Sequence, residues 1–431
     1  MFYSKKNSYS IVIVLLSISI CSSLLVSGCR QQSKPINITS EDTLVQKFYA
    51  DNHESIYWFS SGKNIKRANE WLNFIGSENN LGLDSNKLQI DEIRDVISNI
   101  KTIDNALKEK TDQQITGLIL NFLKALQEGN IHFDYDEVSV PRDSIYIHQL
   151  MNFEYRRSAS KIVSQLDCKD PDYLVLKKYL IDSLADKSTL KYKTVTQAMN
   201  YRRYFTINHQ SEYVIVNIPS AEAEYYQNDL LALKMRAVPG KPKNQTPTIA
   251  SYITSIITFP AWNVPHGIAV KEILPKVKKD DNYLEQHNFE VVDSKGNVLD
   301  DTELNWKDFT EKNFPYFFRQ SAGADNSLGV IKFDLKNPFS IFLHATSWQG
   351  AFAKDYRFLS HGCIRLEKPF ELADALLRGG IDIQELEKGV KDTESRIIKL
   401  PVKIPVYLIY MPVTLIGNKV TFLPDVYGLV K

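Results

Sequence analysis

Between Asp91 and Lys110 the apolar residues Ile93, Val96, Ile97, Ile100, Ile103 and Leu107 recur three or four positions apart, which gathers them on one face of a helix. A second stripe runs through Leu118, Phe122, Leu123 and Leu126, and Gly129 is placed to stop it. The stretch from Asp172 to Lys187 repeats the pattern. Residues 42–205 are therefore expected to form a mostly helical domain. Around Tyr204 the period shortens to two. "SEYVIVNIPSAEAEYY" predicts two strands about a turn at Pro219, and "LGVIKFDL" and "FSIFLHAT" predict two more across the turn signal "KNPF". Near the end, "KIPVYLIYMPVTLIGNKVTFLPDVYG" predicts two strands joined at Gly417 and Asn418. The expected fold class is α+β, a helical half followed by a β-rich half over residues 206–428. Residues 262–320 are charged and less regular, contain a short helix, and read as an insertion in the β fold.

The first forty residues follow another logic. Lys5 and Lys6 precede the apolar run "IVIVLLSISICSSLLV", which has the flanks and length of an export leader. Residues 1–28 are expected to be a signal peptide and residues 29–41 a polar tether. The run ends in "LLVSGC", which resembles a bacterial lipobox; by that resemblance Cys29 becomes the lipidated first residue of the mature chain. The alternative is an uncleaved membrane anchor. Either way the protein is expected outside the cytoplasm, in the periplasm or beyond, held at a membrane.

Charge narrows the function. The 431 residues carry 52 basic and 51 acidic side chains, a formal net charge of +1, so nothing marks a nucleic-acid partner. Of the four cysteines, Cys21 leaves with the leader and lipid consumes Cys29. Cys168 and Cys363 remain in a compartment where thiols oxidise readily, and a bridge between them stays open. The histidines of the helical half, His53, His132 and His148, are scattered without ligand spacing, so that half reads as a scaffold or as a docking module for a protein partner.

The chemistry concentrates in "FLSHGCIRLEKP", Phe358 to Pro369. A thiol with a pKa near about 8.5 needs a neighbouring imidazole to take its proton. Gly362 permits close backbone approach and leaves amides for a developing oxyanion. Cys363 falls just ahead of a helix whose first turn suits Pro369 and whose end suits Gly379. Arg365 shares the face of Cys363 in an extended chain, where it pairs with a substrate carboxylate, orients the loop, or forms a structural ion pair with Glu367 or Asp374. Two histidines compete as base: His361, two residues before the cysteine, and His344, at the end of the strand "SIFLH". Residue geometry alone leaves them level.

His344, a gap of fifteen residues and then "SHGCIR" together resemble the catalytic motif of the L,D-transpeptidases, the YkuD-type domain. "TPTIASYITSIITFPAWNVP", "ILPKVKKDDNYL", "RQSAGADNSLGVIKFDLKNPFSIFLHAT" and "IPVYLIY" resemble the large periplasmic branch with a helical scaffold domain. The likeness extends weakly over "VQKFYADNHESIYWF" and "LILNFLKALQEGNIHFD". It implies Cys363 as nucleophile, His344 as proton acceptor with its ring oriented by the Ala345 carbonyl, and Ser360, His361 and Gly362 shaping the acyl pocket. The Cys363 amide would lie in the oxyanion hole, Arg365 at the motif's last position, and residues 262–320 would form a cap. No separate wall-binding module is visible between Tyr179 and Thr196, where larger members insert one. The implied reaction is ping-pong acyl transfer between a donor and an acceptor stem peptide of peptidoglycan, giving 3-3 cross-links, with no metal or organic cofactor. Three rivals stand beside it: an L,D-carboxypeptidase using the same acyl-enzyme, a zinc site of His344, His361 and Cys363 that lacks a fourth ligand, and a non-catalytic wall-binding lipoprotein.

Overall fold

The computed structural model describes residues 40–430 apart from 53–54, 78–79, 84–86, 141, 143–144, 148–157, 185, 381 and 383–393. The leader, Cys29, most of the tether, His53 and His148 lie outside the described residues.

The helical half comprises α1 (Ser40–Asn52), α2 (Gly62–Gly76), α3 (Lys87–Ser98), α4 (Asn105–Glu128), α5 (Ala159–Leu166), α6 (Pro171–Ser183) and α7 (Leu190–Ile207). The stripe from Ile93 to Leu107 does not make one helix. Asp104 caps the start of α4 by accepting the Leu107 amide at 2.7 Å, so the chain breaks between α3 and α4 although the apolar period runs through. Gly129 ends α4 at φ 78°. Phe48, Leu72, Ile90, Leu123 and Ile162, one from each of α1 to α5, meet in a single core. Beside it Asp112, fully buried, accepts the Tyr49 hydroxyl at 2.5 Å and the Tyr57 and Phe59 amides at 2.8 and 2.9 Å, fixing the turn after α1.

The strands are β1 (Tyr135–Asp136), β2 (Glu212–Asn217), β3 (Glu222–Gln227), β4 (Leu230–Val238), β5 (Ile249–Thr258), β6 (Trp262–Asn263), β7 (Phe289–Val292), β8 (Val298–Leu299), β9 (Phe317–Gln320), β10 (Ile331–Leu335), β11 (Leu343–His344), β12 (Ile364–Leu366), β13 (Arg396–Ile409), β14 (Val413–Ile416) and β15 (Lys419–Phe422). The large sheet runs β5-β10-β11-β12-β4-β3-β2-β13, and β13 pairs back onto β5, closing a barrel. Its interior is filled by alternate residues of each strand, among them Val216, Ile253, Phe333, Leu343, Ile364 and Val406. Helix α8 (Pro369–Leu377) adds Leu372 and Leu376 to the same core. The C-terminal segment makes three strands rather than two: β13 ends at Ile409, and β14 and β15 form a separate hairpin at Gly417 and Asn418, both with positive φ.

Two features join the halves. β1, from the helical half, pairs in parallel with β5. Phe133, Tyr201 and Tyr204 share a cluster with Ala250, Tyr407 and Ile409 of the barrel.

The insertion is more than a helix. β6, β9, β7 and β8 form a four-stranded sheet, and a helical run passes from His266–Ile268 through a π-helical turn, Ala269–Ile273, into Leu274–Val277. These elements surround their own core of Val270, Leu274, Val291, Phe314 and Phe318, distinct from that of the barrel.

Candidate active site

β11 and β12 run parallel, with Leu343 opposite Ile364 and His344 opposite Arg365. Leu343 and Ile364 belong to the barrel core, so alternation turns His344 and Arg365 to the other face, while Cys363, in the bend just ahead of β12, packs against the edge of that core. β10 extends the row by setting Lys332 opposite His344. Lys332, His344 and Arg365 thus stand abreast on three strands, with Cys363 one step along.

His344 is buried, and its Nδ1 lies 2.5 Å from the Ala345 carbonyl. A carbonyl only accepts, so Nδ1 carries the proton and the neutral ring keeps a lone pair on Nε2. Ala345 is itself pinned through its amide to the Ile331 carbonyl at 2.9 Å. Burial and then the Arg365 guanidinium push the imidazole pKa down to about 3, against the carbonyls of Ala345 and Leu328, which favour the charged form.

Cys363 is a half-buried free thiol whose Sγ is 3.7 Å from the Ser340 carbonyl. Burial pushes its pKa up to about 11, outweighing the Phe342 amide, Lys332 and Arg365, which favour the thiolate. Both partners are therefore uncharged in the resting site at neutral pH. Cys168, the other free thiol, is buried with Sγ 3.4 Å from the Thr206 hydroxyl.

The loop before Cys363 is clamped from within. The Ser360 hydroxyl, 2% exposed, accepts the Gly362 amide at 3.1 Å and donates to the Cys363 carbonyl at 2.5 Å. Thr246 donates to the Gly362 carbonyl at 2.7 Å and accepts the Gly240 amide at 3.0 Å. Gly362 has φ +122°, and a Cβ there would sit 3.2 Å from Ile341 Cδ1.

His361 has other partners. Its Nε2 is 2.6 Å from Glu272 Oε1 and 3.0 Å from Lys241 Nζ, and Glu272 belongs to the π-helical turn of the insertion. Burial alone would raise the Glu272 pKa, but the hydrogen bond and charge of His361, with Lys241 and Lys276, hold it below the usual carboxylate value. Arg365 does not pair with Glu367, whose carboxylate accepts the Arg236 amide at 2.9 Å. Lys332, Glu272 and Lys241 were not singled out from the sequence. Only Lys332 carried a signal, an outward position in the alternation of "VIKFDL". Two grooves of about 330 and 380 Å³ flank Arg202 between the helical half and the barrel, away from Cys363.

Residues 211–404 match the model of the L,D-transpeptidase catalytic domain, YkuD, and residues 43–180 match the scaffold domain. By these two matches the β-rich half carries an L,D-transpeptidase (YkuD) catalytic domain and the helical half ahead of it a scaffold domain. A Haemophilus influenzae protein provisionally named an L,D-transpeptidase is 35% identical over 244 residues, covering 56% of this chain and 49% of the relative. The chain thus spans about half the length of the curated relative it matches. Among solved structures, the catalytic domain of an Enterococcus faecium L,D-transpeptidase acylated by ertapenem is 13% identical, with 46% of this chain and 98% of that one covered at a TM-score of 0.22. A mutant of the Enterococcus faecium enzyme gives 12%, 50%, 62% and 0.24 in the same order. Scores that low carry nothing about the site.

Proposed function

We propose that the protein is a peptidoglycan L,D-transpeptidase that carries a stem-peptide acyl group on Cys363. The observation that supports this is that Arg365 and Lys332 act on both His344 and Cys363, which sets a neutral imidazole with a free lone pair and a neutral thiol about the same two cations. When a donor stem binds, the thiol proton passes to His344 Nε2 as sulfur attacks the carbonyl between the L-centre of the diamino acid and the terminal D-alanine. The Gly362 amide is engaged by Ser360, so the Cys363 amide is the loop's donor to the oxyanion. The tetrahedral intermediate collapses, His344 returns the proton to the leaving amine, and D-alanine departs, leaving a thioester. The side-chain amine of a second stem then attacks, loses its proton through His344, and takes the acyl group as a 3-3 cross-link, restoring the thiol. Ala345 orients the base, Ser360 and Gly362 shape the loop, and His361 anchors the cap.

The reading includes an export leader and a lipid on Cys29, holding the enzyme at a membrane outside the cytoplasm. Intact mass of protein from the membrane fraction tests the anchor: a diacylated amino terminus at Cys29 is expected, and an unmodified chain beginning at Met1 would overturn it.

The reaction is tested with purified tetrapeptide muropeptides. Cross-linked dimers together with an acyl adduct on Cys363 are expected. Tripeptides alone would assign hydrolysis, and no adduct in wild type would remove the enzyme.

A further inference from the structure

Arg365 is a cation without a counter-charge. Its Nε is buried with no hydrogen-bond partner, and among the described residues the side chain makes no hydrogen bond or ion pair. Burial works against its charge, and the one group that favours it is Cys363. Its neighbours are supplied differently. Lys332 has Asp334 at 3.2 Å, and Lys241 has Glu272 at 3.8 Å. A guanidinium taken out of water is costly unless an anion completes it, so a site that leaves one unpaired beside the nucleophile is built for an incoming anion.

The surroundings shape that site. The Trp348 indole, 45% exposed, lies 5.7 Å from the guanidinium carbon, and Lys354 Nζ lies 5.5 Å from the same ring. The ring face attracts both cations, and Lys354 adds a second positive charge at the pocket's edge. Cys363 and Arg365 are two residues apart, close enough to act on each other's charge, and two residues of extended chain span about 6.6 Å. One peptide residue advances about 3.8 Å between successive Cα atoms, and the long arginine side chain covers the remainder. A planar fork of donors matches a carboxylate through two parallel hydrogen bonds.

We propose that Arg365, roofed by Trp348, receives the free α-carboxylate of the residue that leaves the donor peptide, one residue beyond the bond that Cys363 attacks. The inference rests on the acyl-transfer reading and adds selectivity to it. Donors whose carboxylate directly follows the scissile bond are preferred over donors in which it is amidated.

The test uses two synthetic tetrapeptide donors identical except for a terminal carboxylate or carboxamide, with acylation of Cys363 followed by intact mass. Wild type is expected to prefer the carboxylate by roughly 10- to 100-fold in kcat/KM, the range of a charge-assisted pair. In Arg365→Gln the ratio of the two donors is expected to fall to about one, whatever the absolute rates, and Arg365→Lys to restore part of it. Trp348→Ala serves as the second variant and is expected to lower the ratio without abolishing it. Equal slowing of both donors in Arg365→Gln, with the ratio kept, would overturn the subsite while leaving Cys363 chemistry intact. Failure of wild type to acylate with either donor would remove the parent reading and the subsite together.

Discussion

His344 and Arg365 are paired directly across β11 and β12, an imidazole alongside a guanidinium, and Lys332 completes the row from β10. Two cations flanking a buried ring oppose its protonation, and the same cations favour charge on the sulfur. Burial outweighs them at Cys363, so the resting pair is thiol and neutral imidazole rather than a thiolate-imidazolium pair. In the proposed reaction, therefore, the proton moves as substrate arrives.

That state predicts the pH dependence of alkylation. With the thiol pKa pushed up to about 11, on the order of one Cys363 in ten thousand is ionised at pH 7. The rate of iodoacetamide labelling at Cys363 is expected to climb roughly tenfold per pH unit from 7 to 10. A plateau with its midpoint between pH 5 and 7 would mean a preformed ion pair instead.

The buried imidazole also couples stability to acid. Its folded pKa, about 3, lies below the ordinary histidine value, so the unfolded chain takes up a proton near pH 6.5 that the folded chain refuses. The stability contributed is complete above that value and is lost as pH falls toward 3, by at most roughly 1.4 kcal/mol per pH unit. Urea midpoints between pH 7 and 4.5 are expected to fall further in wild type than in His344→Gln, with the acidic residues common to both cancelling. Parallel curves would contradict it.

What the sequence disclosed was local. Gly129 and the Gly417-Asn418 hairpin act within a few residues of themselves, and the periods marked the helical and β-rich halves. The break before α4 was hidden because Ile100 and Ile103 continue the apolar stripe, while the deciding bond is one side chain of Asp104. Closure of the barrel depends on β5 and β13 meeting across more than a hundred residues. The same limit applies at the site. The motif names His344 and Cys363 by type and spacing, but the parallel register of β11 and β12 that brings His344 abreast of the segment after Cys363 is not contained in that spacing. Glu272 and His361 lie 89 positions apart and neither reports the other.

The loop ahead of Cys363 should be intolerant of small changes. Gly362→Ala places a side chain at φ +122° and forces Ile341 to yield, a cost of about 1–3 kcal/mol. Ser360→Ala leaves the Gly362 amide and the Cys363 carbonyl without their shared partner, also about 1–3 kcal/mol. Thermal unfolding is expected to register both, with Ser360→Thr milder than Ser360→Ala. Unchanged melting in Ser360→Ala would show that the clamp contributes nothing.

The bond between Glu272 and His361 ties the insertion's helical run to the residue two before Cys363, and Lys241 braces both ends of it. The Glu272 side chain is 44% exposed, so solvent screens the pair and its removal is expected to cost under about 1 kcal/mol of global stability. Its effect should appear in the insertion's position instead. In Glu272→Gln, amide exchange across residues 266–277 is expected to quicken while the barrel strands keep their protection. Acylation should slow by roughly three- to tenfold, because the loop carrying Cys363 loses its tie to the insertion. His361→Ala should produce the same two changes, and the double variant should add little to either single one, because both remove one contact. Additive losses in the double variant, or exchange across residues 266–277 indistinguishable from wild type, would mean that the insertion is held by its own packing and that the two side chains act independently.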